Sequence, residues 1–245
     1  MLSAMKSKIL LICSVILAGA LPASAQFASF DCAKGKKISA SRASEISAQL
    51  QGAYQGVSDF EARFEQQSYL AAMDSSELSS GTVWFKKPGK MKWQYILPEE
   101  QVFLVAGDTF WFYQKAENQV VIDRFGNVLI SEVPLSFLTG LGDLERDFLV
   151  QGGCERTTGT VLDLIPRQLQ NKGDEESGKG GLRGLKLLVD RKTRFPRGAE
   201  VTDSVGNITA IIFLEVKENS GVAGELFNPI FPKDADVSDR RVEER

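Results

Sequence analysis

The sequence predicts a mainly β protein: an incomplete, half-open antiparallel β-barrel of about 10–11 strands, lidded by 2–3 short helices. Three observations lead there. Between Gly81 and Tyr113, Trp84, Phe85, Trp93, Tyr95, Phe103, Phe110, Trp111, Phe112 and Tyr113 stand on short runs punctuated by Pro88, Pro98 and Gly107, the pattern of an antiparallel meander. Nearly all connections between predicted strands are too short for parallel crossovers. A single sheet of that many strands must curl, and few helices are available to cover its inner face. Each strand residue faces one side only, so Phe110-Trp111-Phe112-Tyr113 puts bulky rings on both. One side fills a core; the other needs a second apolar partner.

The first element is a leader. Lys6 and Lys8 precede an uncharged apolar run from Ile9 to Leu21 and the small-residue signal Ala23-Ser24-Ala25. That is a secretory signal peptide over residues 1–25, too short for a stable membrane span. Leu17-Ala18-Gly19 begins like a lipoprotein signal, but Ala20 stands where lipid attachment requires Cys. The mature chain is therefore expected to be exported, soluble and unanchored. Its removal takes two lysines and no acid, leaving 27 basic against 32 acidic side chains. A mildly acidic chain without a basic stripe is a poor partner for nucleic acid. Cys13 leaves with the leader. Cys32 and Cys154 remain, an even count in an exported chain, which predicts a disulfide between them. Closing so long a loop is worth about 4 kcal/mol in the chain-entropy model, a structural rather than a redox role.

Residues 26–40 read as an irregular N-terminal extension and 41–237 as one domain. A helix starts at Ser41, a capping residue, with Ile46, Leu50, Ala53, Tyr54 and Val57 on one stripe. The period then switches to two: Phe60, Ala62 and Phe64 alternate with Glu61, Arg63 and Glu65. Ser75-Ser76 and Ser79-Ser80 bracket a turn before the aromatic meander, and Gln119–Asp123 forms a further strand. Pro134–Leu141, with Leu135 and Leu138, reads as a short apolar helix, which must dock on something to be stable. Strands resume around Asp147–Gln151, Val161–Ile165, Leu185–Asp190, Arg197–Thr202 and Ile208–Val216. Arg167–Gly184 is a charged loop, and residues 238–245 form a charged, disordered tail.

The chain has no histidine. That excludes a Ser-His-Asp triad, a Cys-His pair and His-ligated zinc at once. No spacing nominates a carboxylate or lysine enzyme, a metal or a cofactor. Gly178-x-Gly180-Gly181 sits in a charged loop, Asp174-Glu175-Glu176 is a solvated run, and Asn207-Ile208-Thr209 carries no weight as a glycosylation acceptor. Two readings of the helix stripe and of Pro134–Leu141 stand at this point: a permanent core plug, or a movable lid over a lipid-sized cavity.

Gly81-x5-Lys87-Pro88, Trp93-x4-Pro98, Leu104-Val105-Ala106-Gly107 and Phe110-Trp111-Phe112-Tyr113 resemble the LolA family of periplasmic outer-membrane lipoprotein carriers. Phe60–Gln66, Val133–Leu138 and Phe227–Val237 match further pieces in family order, so the resemblance runs from about Arg42 to Val237. It implies a half-barrel around a cavity for acyl chains, since several such chains do not cross water unshielded. It also implies a monomer in the periplasm with acylated lipoproteins as cargo. The implied partners are an inner-membrane lipoprotein-releasing ABC transporter complex and an outer-membrane receptor, or the outer membrane itself. Phe60, Phe64, Val83, Phe85, Met91, Trp93, Tyr95, Leu104, Phe110 and Phe112 are assigned to the cavity. Ile46, Leu50, Leu135 and Leu138 are assigned to the lid. Enterobacterial members place Arg at the position of Lys87, as a clasp between barrel and lid; Lys87 offers donors there without the planar fork. The same resemblance leaves a second function open, a half-barrel for another lipid or for sensing envelope stress.

Overall fold

The computed structural model describes residues 30–128, 143–167 and 182–242. The chain runs β1 (Lys36–Ile38), α1 (Ala40–Gly56), β2 (Asp59–Leu70), β3 (Ser75–Lys86), β4 (Lys90–Leu97), β5 (Gln101–Ala106), β6 (Thr109–Gln114) and β7 (Gln119–Arg124). After a one-turn helix at Leu144–Asp147 come β8 (Phe148–Arg156), β9 (Gly159–Pro166), β10 (Leu182–Val189), β11 (Pro196–Asp203), β12 (Ile208–Glu218) and β13 (Asp236–Asp239). All thirteen strands belong to one sheet, ordered β1-β8-β9-β10-β11-β12-β2-β3-β4-β5-β6-β7-β13. Two meanders, β2 to β7 and β8 to β12, meet where β12 pairs with β2. The two edges, β1 and β13, stay apart in that order, so the barrel is incomplete.

Several boundaries differ from the sequence expectation. Helix α1 is capped by Ser39, not Ser41: Ser39 is extended, and its Oγ accepts from Arg42 N at 3.2 Å. The extension is not wholly irregular, because Lys36, Lys37 and Ile38 pair with Glu155, Cys154 and Gly153. Ser75 to Ser80 are strand rather than turn, pairing with Leu70 back to Glu65; backbone pairing needs no apolar side chains, so the pattern could not reveal it. The turn is Ala71–Met73, closed by Asp74 in the left-handed region. β10 begins at Leu182, inside the expected loop. The tail expected to be disordered from Ser238 continues as β13 to Asp239, parallel to β7, followed by a 3-10 turn at Arg240–Val242. The helix expected at Pro134–Leu141, with Leu135 and Leu138, lies outside the described residues.

The sheet buries both faces. Helix α1 lies on the inner one, where a single apolar cluster gathers side chains from α1 and from the strands of both meanders. The outer face carries two smaller clusters. Under the N-terminal segment, Phe30 packs with Cys154, Val161, Leu188 and Ala210. Behind β4 and β5, Leu104, Val222 and Phe227 pack with Trp84, Val102, Trp111 and Phe231. The cover there is residues 219–235, a strap that leaves β12, crosses the outside of the meander and ends in β13. This is the second apolar partner that the doubly aromatic strands require.

Candidate apolar binding face

Strand register decides which rings meet. Phe64 stands opposite Gly81 on β3 and Phe213 on β12, Phe85 opposite Phe60 and Met91, and Trp93 opposite Val83 and Phe103. Phe110 and Phe112 lie opposite Val105 and Phe103. The rings interlock: Phe64 and Trp93 centroids are 4.7 Å apart, Phe60 and Phe85 5.4 Å, Phe103 and Phe112 4.4 Å. Such offset and edge-on pairs add to the stabilisation from area burial. Gly81 makes the crowding possible: a Cβ there would lie 2.0 Å from the Gln94 carbonyl oxygen and 2.9 Å from the Phe64 ring.

Nine of the ten side chains expected in the cavity share this inner face: Phe60, Phe64, Val83, Phe85, Met91, Trp93, Tyr95, Phe110 and Phe112. Leu104 does not. It pairs with Lys92 and Trp111 and is buried on the outer face against Val222 and Phe227. The cause is β5 itself: Val102-Phe103-Leu104-Val105 is apolar throughout, so period-two parity cannot choose a side. The inner positions are Phe103 and Val105. Missed residues also include Phe195 and Phe213, whose rings touch Phe60; Tyr54, expected on the helix stripe, touches Phe85. Counting register outward from Trp93 would have found Phe103; nothing local marks Phe195.

Helix α1 closes this face. Ala43, Ile46, Leu50 and Tyr54 recur at helical spacing and are all buried in the inner cluster. Gln51 Oε1 accepts from Leu144 N at 3.2 Å, joining α1 to the one-turn helix before β8.

A family model described as "Outer membrane lipoprotein carrier protein LolA" matches residues 55–229. The chain belongs to the LolA family. It is 32% identical over 192 residues to the outer-membrane lipoprotein carrier protein of Cupriavidus pinatubonensis, covering 77% of this chain and 85% of that one. The corresponding protein of Cupriavidus taiwanensis is 30% identical over the same spans. A crystal structure of an uncharacterized conserved protein from Thermus thermophilus superposes with a TM-score of 0.52 at 16% identity, covering 81% of this chain and 99% of that chain. That likeness concerns the fold alone.

The LolA match is narrower than the expected Arg42–Val237. It takes in both meanders and most of the strap, and leaves out nearly all of α1, the Cys32 segment and β13. Those outlying parts are attached by specific contacts. Lys87, in the family motif on the matched side, donates from Nζ to the Tyr54 and Gln55 carbonyl oxygens, 2.9 Å each. The last turn of α1 has no basic residue of its own, so Lys87 supplies the cation that the helix's negative end favours. The Nζ also stands 5.5 Å from the Tyr54 ring centroid, and burial lowers the Lys87 pKa. Cys32 and Cys154 are joined with Sγ atoms 2.02 Å apart, across 122 residues; Cys154 lies in the matched region and Cys32 outside it.

Asp59 anchors the strap from the first residue of β2. Its carboxylate accepts from Gly221 N, Val222 N and the Ser220 hydroxyl. Burial works to raise its pKa, but the two backbone donors, the Lys86 charge and Ser220 outweigh that and hold it below the usual carboxylate range. Lys86 Nζ donates to the Val222 carbonyl oxygen at 2.5 Å. Neighbouring lysines at the end of β3 thus fasten opposite covers: Lys86 the outer strap, Lys87 the inner helix.

Proposed function

We propose that this chain is a periplasmic carrier that shields lipoprotein acyl chains between helix α1 and the inner face of the half-barrel, and moves them from the inner to the outer membrane. The observation that carries the reading is the composition of the interface beneath α1. It is built from aliphatic and aromatic side chains of both meanders, with the helix held at its C-terminal end by two Lys87 hydrogen bonds. Ile46 and Leu50 of α1 are fully buried against that face, so on this reading acyl chains enter as α1 parts from the sheet. Each methylene moved from water into that space is worth about 0.8 kcal/mol, enough for tails to compete with α1 for the face. An apolar face of this kind accepts tails of any sequence context, which suits a carrier of many cargoes, and the function needs no chemical step.

On this reading the leader over residues 1–25 is cleaved on export, and the partners are a lipoprotein-releasing complex in the inner membrane and an acceptor at the outer membrane. The names of the Cupriavidus relatives support lipoprotein as cargo. Native mass spectrometry of protein gently purified from an envelope fraction tests it. Bound triacylated lipoprotein is the expected result; free phospholipid or glycolipid alone would overturn it.

A further inference from the structure

The inner face is graded along the strands. Toward one end, where β2 meets α1, Phe60, Phe85, Phe195 and Tyr54 form a continuous group of rings. Toward the other, polar groups replace them: Tyr95 Oη donates to Gln66 Oε1 and Gln66 Nε2 donates to Ser68 Oγ, 3.0 Å each. Gln66 stands opposite Ser79 on β3. Trp93 lies at the border, its ring against Phe64 on one side and Tyr95 on the other. The side chain is 1% exposed. Its indole Nε1–H is buried and has no hydrogen-bond partner among the described residues.

A buried donor left unmade is costly, and indole nitrogens in protein interiors are ordinarily paired. The outer face of the same meander follows that rule: Trp84 Nε1 donates to Glu61 Oε2 at 3.2 Å. An unpaired donor at the border of an otherwise apolar binding face suits a ligand that brings its own acceptor. We infer that the Trp93 indole N–H donates to an acyl-linkage carbonyl, ester or amide, of the bound cargo. The inference rests on the carrier reading and deepens it. It fixes the depth and direction of the ligand: tails run toward the Phe60–Phe85 rings, and the head leaves past the Tyr95–Gln66–Ser68 layer. It also sets a chemical preference, since an alkyl chain joined through an ether oxygen offers a much weaker acceptor at that depth.

Two probes separate the outcomes: a short peptide with an S-(2,3-dipalmitoyloxypropyl)cysteine head, and its counterpart with two hexadecyl ether chains. The native chain is expected to bind the ester probe about tenfold more tightly, the size of one hydrogen bond made in a dry site. Trp93→Phe keeps an aromatic ring and removes the donor; it is expected to bind both probes alike, near the native affinity for the ether. In the native protein, the Trp93 indole proton resonance should move downfield with the ester probe and not with the ether. Trp93→Phe keeping the native ester preference, or an indole resonance indifferent to the ester, overturns the inference while leaving the carrier reading standing. A native chain that takes up neither probe removes the carrier reading, and this inference with it.

Discussion

Both faces of the aromatic meander carry rings, more of them on the inner face, and the two are covered in opposite ways. On the outer face the cover is the chain's own strap, tied at its start by Asp59 and Lys86 and at its end by β13. Two polar side chains under or beside it are paired: the Asp59 carboxylate accepts from the strap backbone, and the Trp84 indole reaches Glu61. On the inner face the cover is a helix whose buried side chains are apolar except for Ser47, fastened at its C-terminal end through Lys87, and the Trp93 donor beneath has no partner among the described residues. The difference teaches which face is permanent. A cover woven in with satisfied polar contacts is expensive to lift, because lifting strands buried groups; a mostly apolar cover with few polar fastenings costs less to exchange for another apolar surface.

The largest effect that would sharpen this contrast is expected at Phe227, 2% exposed beneath the strap. Phe227→Ala should lower the unfolding free energy by about 3–5 kcal/mol, measured by denaturant titration, while the folded fraction still takes up an acylated probe normally. Loss of uptake with unchanged stability would reverse the assignment of the faces.

A smaller effect is expected at Asp59. Asp59→Ala leaves the Gly221 and Val222 N–H groups without their acceptor and should cost about 1–3 kcal/mol. The native carboxylate has a lowered pKa, so it stabilises the fold above its ordinary carboxylate range and loses that contribution as pH falls through the lowered value. Thermal unfolding of native and variant proteins should therefore converge in acid. A gap that stays constant from neutral pH to well below the carboxylate range would show that the charge is not what holds the strap.

The smallest stability change, about 1 kcal/mol, is expected from Lys87→Ala, yet it should have the clearest dynamic signature. Amide hydrogen exchange should quicken in α1 and not in the strap, with Lys87→Arg restoring slow exchange. Equal quickening on both faces would break the comparison, since it would make the two covers one cooperative unit.

Much of this was legible in the residues. Aromatic runs punctuated by Pro and Gly announced β3 to β6; the period-two alternation of Phe60, Ala62 and Phe64 put β2 on the inner face. The stripe Ile46, Leu50 and Tyr54 announced α1, and the two cysteines left beyond the expected leader announced the disulfide. These signals are local: each depends on side-chain spacing within one element or on a simple count. Leu104 shows where locality ends. Within an unbroken apolar strand nothing nearby distinguishes the faces, and only its register with Lys92 and Trp111 sends it outward.

The sequence by itself determined a curled antiparallel sheet, the helix that covers it and the family motif around Lys87-Pro88, because hydrophobic period and turn chemistry act over a few residues. Tertiary structure alone decided that Lys86 and Lys87 hold opposite covers, that residues 219–235 close the outer face, and that the Trp93 indole lies buried without a partner among the described residues. Each of those depends on chain segments more than thirty residues apart meeting in space or on which atoms fail to meet, and no local pattern records that.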